Sequence, residues 1–178
     1  MLSSTMTTST PRPAPATNAS QASLQLHKID HPDDENIANV LALSNAVFDF
    51  NGTTKHGLIS YWRDCLSHPS SFILYLAPDA EPTRPVAFLF VIWRIYDSPL
   101  KNGDAEGQHV WLAGVSPEWR QHGCLARMMH ELNYINRLTI CTHPIYYPQM
   151  WKWLTGRGWI QEREFPDGKV MFYRPEQI

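Results

Sequence analysis

The chain reads as one α/β domain built on a seven-stranded sheet, and three features of the sequence predict it. The order of apolar stretches from residue 23 onward is β-α-α-β-β-β-α-β-α-β-β, which gives seven strands and about four helices. Residues 86–96 are apolar at both alternating sets of positions, as in a central strand covered on two faces. With 178 residues, 43% hydrophobic and 12% aromatic, the chain has material for one full core.

Residues 1–22 are rich in Ser, Thr, Pro and Ala and hold almost no large apolar side chain, so a disordered leader is expected ahead of a folded domain over 23–178. Leu24, Leu26 and Ile29 suggest a half-buried first strand. His31-Pro32-Asp33-Asp34-Glu35 reads as a helix start with acidic residues in its first turn, followed by Ile37, Val40, Leu41 and Ser44 at helical spacing. A second helix is expected over 57–67, with Leu58, Tyr61, Trp62, Cys65 and Leu66 facing inward. Strands follow over 72–77 and 86–96, then a polar loop over 97–108 and a strand over 109–115. Leu125, Met128, Met129, Leu132 and Ile135 recur at spacings of three and four and predict a helix with one buried face. Residues 138–142 form a short strand and 149–155 a short helix closed by Gly156 and Gly158. Residues 159–165 then pair with 169–174 across Pro166-Asp167-Gly168.

Composition narrows the function classes. A formal charge of −2 and the lack of any Lys/Arg cluster along a helix argue against nucleic acid as a partner. No run approaches the roughly 18–20 apolar residues of a membrane span, and no signal peptide is visible, so a soluble, cytoplasmic protein that binds no membrane is expected. Cys65, Cys124 and Cys141 lack C-x-x-C spacing and read as free thiols. The scattered histidines offer no pair suited to a helix-borne metal site, and no metal is expected.

The most informative stretch is V-S-P-E-W-R-Q-H-G-C-L-A-R, Val115 to Arg127. It joins a strand to a helix through a Pro and a short Arg/Gly loop. The first amides of a helix have no partner inside it, and with the macrodipole they favour a phosphate. Arg120 adds a cation and Gly123 permits close backbone approach.

On Val115, Pro117, Arg120 and Gly123 the stretch resembles the pyrophosphate loop V-x-P-x-x-[RQ]-x-x-G-x-[GA] of the GNAT superfamily of acetyl-CoA-dependent N-acetyltransferases, with Leu125 where that family prefers Gly or Ala. The element order over about 23–175 also looks like that fold. The resemblance implies a mixed, mostly antiparallel sheet splayed between strands 4 and 5, and acetyl-CoA as co-substrate. It implies cofactor contacts from Ala113, Gly114 and Val115 on the strand and from Arg120, Gln121, His122, Gly123, Cys124, Leu125 and Ala126 in the loop and first turn. It further implies acetyl transfer to the amine of a small molecule or amino-acid-like metabolite by direct attack in a ternary complex, in a monomer or homodimer. The alternative is an acyl-CoA-binding or regulatory domain that has lost the chemistry.

Amine acetylation needs a free lone pair on nitrogen, a donor to the carbonyl oxygen and a proton for the leaving thiolate. An alkylamine of pKa about 10.4 is neutral in about one molecule in 2,500 at pH 7, so a base or a dry pocket is needed. His109 stands six residues before Val115, where the histone-acetyltransferase branch carries a glutamate base, and is the expected base, with Asp97 and Glu106 as substitutes. An amide of the 113–115 segment is expected to hold the oxyanion. Leu154 occupies the position at which many relatives place a general-acid Tyr, so Tyr146 or, preferentially, Tyr147 is expected to serve. Thr142-His143 replaces the family's Asn after the fifth strand. Phe48, Phe50, Trp93, Tyr96 and Trp111 are expected to line the acceptor pocket.

Overall fold

The computed structural model describes residues 23–48 and 57–175. The leader and Phe50 lie outside the described residues. Seven strands form one sheet in the order β1-β2-β3-β4-β5-β7-β6: β1 Leu24–Ile29, β2 Phe72–Pro78, β3 Ala87–Ile95, β4 Glu106–Val115, β5 Thr139–Thr142, β6 Ile160–Glu164 and β7 Val170–Tyr173. The helices are α1 Ile37–Phe48, α2 Ile59–Leu66, α3 Cys124–His130 and α4 Pro148–Thr155. Every strand contact is antiparallel except β4 with β5. The order of elements and the mixed, mostly antiparallel sheet are those the sequence predicts.

The two faces bury separate cores. Leu89, Val91, Val110, Ile140 and Phe172 face α3 and α4, where Met128, Met129 and Leu154 close over them. Ile73, Tyr75, Phe88 and Phe90 face α1 and α2, where Ile37, Val40 and Trp62 cover them. Under β5 and β7 that second face is instead filled by Tyr96 and Leu100 from the β3–β4 connection, against Met171. The two-sided apolarity of β3 is thus its burial on both faces.

Several boundaries differ from expectation. The acidic residues 33–35 precede α1, because the Asn36 amide donates to Asp34 Oδ1 at 2.8 Å in a local turn that displaces the helical bond. In α2, Trp62 and Leu66 are buried, but Leu58 is 76% and Tyr61 49% exposed. The helix starts at Ile59, which leaves Leu58 as its N-cap and turns Tyr61 to the rim. Helix α3 ends at His130, yet Leu132 and Ile135 remain buried in successive tight turns. Arg174 holds those turns by donating to the carbonyls of Leu132 and Ile135. Strand β4 begins at Glu106, three residues early, because β3 is long enough to pair with it as far as Ile95.

The pairing of β3 with β4 shifts between Phe90 and Val91, which face Leu112 and Val110, so that Trp111 is the extra residue of a bulge. The bulge places Trp111 and Leu112 on the same face, against the α1/α2 core. Strand β5 then pairs with β4 only at His109–Thr139 and Val110–Ile140. Beyond those two pairs the sheet divides.

Candidate active site

Where β4 and β5 separate, the backbone of β4 is left facing an opening. Ser116 N–H donates to Val86 O, and the alternation of an antiparallel ladder therefore turns Gly114 and Leu112 towards β3, and Ala113 and Val115 towards the gap. Arg120 Nε reaches back to Val115 O at 3.3 Å from that open side. Gly114 has a different task from the cofactor contact expected of it. A Cβ there would lie 2.7 Å from Phe88 Cε1 and 3.1 Å from Val47 Cγ1, so its missing side chain lets α1 pack on the sheet.

The loop after β4 aims a run of amides outwards. Pro117–Trp119 forms one 3-10 turn, after which Gln121 (φ 67°) and Gly123 (φ 76°) both adopt left-handed backbone. For Gln121 that conformation costs about 1–3 kcal/mol, a strain of the kind held where an amide must point a chosen way. The first bond to a carbonyl within α3 is Arg127 N–H to Gly123 O at 2.9 Å. No amide from Gln121 to Ala126 donates to a carbonyl among the described residues. Such a nest suits a phosphate oxygen. Leu125 is half-buried on the α3 core, so its side chain is directed away from this concavity. His122 Nδ1–H donates to Arg120 O at 2.8 Å and Cys124 is buried beneath the loop. Burial pushes the Cys124 thiol pKa up, as an inert core cysteine requires.

A cavity of about 720 Å³ occupies the split and passes from one face of the sheet to the other. Ala113, Ile140 and Met150 line it on the α3/α4 side, and Phe48, Trp111 and Arg94 on the side of α1. Of the expected acceptor residues, Phe48 and Trp111 are in its wall. Trp93 is not: it lies outside the cavity, stacked on His68 with ring centroids 5.2 Å apart and donating to Glu106 Oε2. Tyr96 is also outside, buried under β5 with its hydroxyl 2.9 Å from Thr139 Oγ1. Of the two substitute carboxylates, Asp97 lines the cavity and Glu106 does not. Tyr147 lines it at the start of α4, edge-on to Phe48 at 6.1 Å, while Tyr146 is exposed outside it. Leu154 is fully buried in the α3/α4 core.

His109 lies in the cavity wall but is only 2% exposed, and both its ring nitrogens are engaged. Arg94 Nη1 donates to Nε2 at 3.2 Å, and Nδ1 is 2.8 Å from Thr139 Oγ1. Because a guanidinium only donates, Nε2 must carry the lone pair and Nδ1 the proton. The Thr139 hydroxyl accepts from His109 and Tyr96 and donates to Gln108 O at 3.4 Å. Burial, with the Arg94 charge adding to it, pushes the His109 pKa down to about 3. Sequence reasoning missed Arg94 because an Arg near the end of an apolar strand reads as a surface residue. It also missed Lys169 and Asp167 at the β6–β7 turn, which the topology carries to the cavity. Among the described residues no group of His, Cys, Asp and Glu side chains is arranged to hold a metal ion.

No family model and no curated protein sequence matches the chain. Solved structures do. The chain superposes on the ribosomal-protein-S18-alanine N-acetyltransferase of Escherichia coli with TM-score 0.61 at 9% identity, over 88% of this chain and 96% of that one. The chain has the GNAT fold. An aminoglycoside N-acetyltransferase in complex with CoA gives TM-score 0.59 at 11% identity, covering 85% of this chain and 95% of that one. Arabidopsis thaliana NAA60 in complex with acetyl-CoA gives 0.58 at 11%, covering 85% and 98%. The GNAT fold at these identities is a shared architecture, and the chemistry must be argued from the residues.

Proposed function

We propose that the chain is an acetyl-CoA-dependent N-acetyltransferase acting on a small amine or amino-acid-like metabolite. The observation that carries this reading is one continuous cavity through a split sheet, bounded by the Ala113 backbone that faces the gap and beside a loop of unpaired amides from Gln121 to Ala126. These fit coenzyme A. The loop amides and Arg120 hold the pyrophosphate, and the β4 edge holds the pantetheine arm as a further strand. Structural neighbours of the same fold solved in complex with CoA and acetyl-CoA support coenzyme A as the ligand. Acetyl-CoA, when bound, supplies an activated acyl group that passes to the amine within one ternary complex.

The remaining roles belong to this chain's side chains. The Ala113 amide donates to the carbonyl oxygen as it becomes negative. Tyr147 gives a proton to the leaving thiolate; burial pushes its pKa up, so it carries that proton at neutral pH. His109 is assigned a positioning role in place of the base role expected of it. With Nε2 occupied and a pKa near 3, it is a poor acceptor for a proton from an ammonium near 10.4. The cavity's own cations do part of the work of a base. An ammonium about 6 Å from Arg94 at an effective dielectric of about 20 is disfavoured by about 3 kcal/mol, or about 2 pKa units. The released proton passes through water towards Asp97 at the mouth. Phe48 and Trp111 form the acceptor wall.

No helix among the described residues is long and apolar enough to cross a membrane. We take the enzyme to be a cytoplasmic monomer or homodimer. The test is a thermal melt with acetyl-CoA, free CoA and ATP in parallel, followed by thiol-release screening of amines. A ligand at 100 times its Kd stabilises by about 2.7 kcal/mol. A shift with both CoA forms and none with ATP, followed by thiol release, is expected. Binding of acetyl-CoA with no thiol release across a broad amine panel would favour the non-catalytic alternative, and no shift with either CoA form would end the reading.

A further inference from the structure

The charge on Arg94 lacks an anionic partner, and its surroundings say what would provide one. Arg94 lies next to last on β3, on the face that carries Phe90 and Ile92, and is half-buried where it enters the cavity. Its guanidinium donates to His109 Nε2 and to the Cys141 thiol, two neutral groups. Other arginines end differently: Arg84 and Arg137 pair with carboxylates, and Arg163 and Arg174 cap carbonyls. No Asp or Glu lies within ion-pair distance of Arg94 among the described residues. Lys169 lines the same cavity; burial pushes the Cys141 and Tyr147 pKa values up, and the Lys169 charge offsets part of that rise. Its pairing with Asp167 at 3.0 Å is an exposed one and so holds it weakly. Arg94 is thus the half-buried charge of the cavity wall, while Lys169 and the carboxylates of Asp97 and Asp167 are exposed at its edge.

We propose that Arg94 anchors an anion subsite and that the acceptor is an amino acid, its carboxylate held by the Arg94 fork with Lys169 completing the field. This deepens the acetyltransferase reading and rests on it. A guanidinium with free donors in a partly dry wall matches a carboxylate bidentately, whereas a lone amine would meet only repulsion there. The geometry also limits the spacing. His109, which Arg94 touches, precedes Ala113 by four residues, about 13 Å of strand at about 3.3 Å per residue. The Arg94 side chain and the carbon chain of the amino acid cover that span together.

The experiment compares the intact protein with Arg94→Gln, Arg94→Lys and Lys169→Met on matched probes. Thiol release is measured with amino acids, their carboxamides and aminoalkyl phosphates. Binding of N-acetyl amino acids and N-acetyl amino amides is measured separately by titration in the presence of CoA. Amino acids should exceed their amides by about 10- to 100-fold in kcat/KM; Arg94→Gln should remove that preference while also lowering amide turnover, because the amine loses the neighbouring charge that helps to deprotonate it; Arg94→Lys should restore part of both, and Lys169→Met should cost less than Arg94→Gln. The N-acetyl acids should bind in preference to the amides, again only with Arg94 present. Equal use of acids and amides overturns the subsite while leaving the acetyltransferase reading standing. Preference for the phosphates overturns the carboxylate assignment. Absence of thiol release with every amine defeats the acetyltransferase reading, and the binding titration still decides the subsite because it needs no chemistry.

Discussion

Replacing His109 by Gln should flatten the acid dependence of stability. His109 has a folded pKa of about 3 against an ordinary 6.5, so the unfolded chain binds more protons throughout the interval between them. The sign follows: the contribution of neutral His109 is complete above about pH 6.5 and is lost progressively as pH falls towards 3. Between pH 7 and pH 5 this one group costs the native state about 2 kcal/mol. Gln keeps an acceptor for Arg94 and a donor for Thr139 but does not titrate. Urea unfolding at pH 7, 6 and 5 reads the difference directly. With a slope of about 2 kcal/mol per molar urea, the natural chain should lose about 1 M more in midpoint than His109→Gln over that range. Parallel pH dependences in the two proteins would mean that His109 titrates normally, and the base role would have to be reinstated.

Gly114→Ala should destabilise by about 1–3 kcal/mol, measured by urea unfolding, because its Cβ would meet Phe88 and Val47 in a packed core. Arg120→Ala should weaken acetyl-CoA binding by about tenfold with little change in unfolding midpoint, since its guanidinium is exposed beside the amide loop. Tyr147→Phe should lower kcat by about 10- to 100-fold while acetyl-CoA affinity, measured by titration, stays within about twofold.

The fold was legible because its signals were apolar patterns: two-sided β3, the Met128 and Met129 stripe of α3, and the Pro-Asp-Gly turn before β7. The loop motif was legible because positive φ at Gly123 is written in a residue type, whereas the same conformation at Gln121 is not. The cavity wall was less so. Trp93, Tyr96 and Trp111 look alike in sequence, and only the bulge at Trp111 decides that Trp111 enters the cavity. Arg94 and Lys169 are 75 residues apart in the chain and meet through sheet order, which no local pattern encodes.

The bulge and the short β5 also explain why a histidine is buried at this point. A sheet that parts after two residue pairs needs something to hold the fork closed at its base, and His109–Thr139 is one of those pairs. The chain Arg94–His109–Thr139–Tyr96 runs from β3 across β4 to β5 and back to the β3–β4 connection, tying both halves of the sheet beneath the cavity. Thr139→Val preserves shape but removes the hydroxyl that accepts from both His109 and Tyr96, leaving two buried donors without a partner, at a cost of about 2–4 kcal/mol. In a double-mutant cycle with Tyr96→Phe, which removes one of those donors, the losses should fall short of additivity by about 1 kcal/mol or more. Strictly additive losses in urea unfolding would mean that the hydroxyls act separately, and the fork would then be held by the apolar cores on its two faces alone.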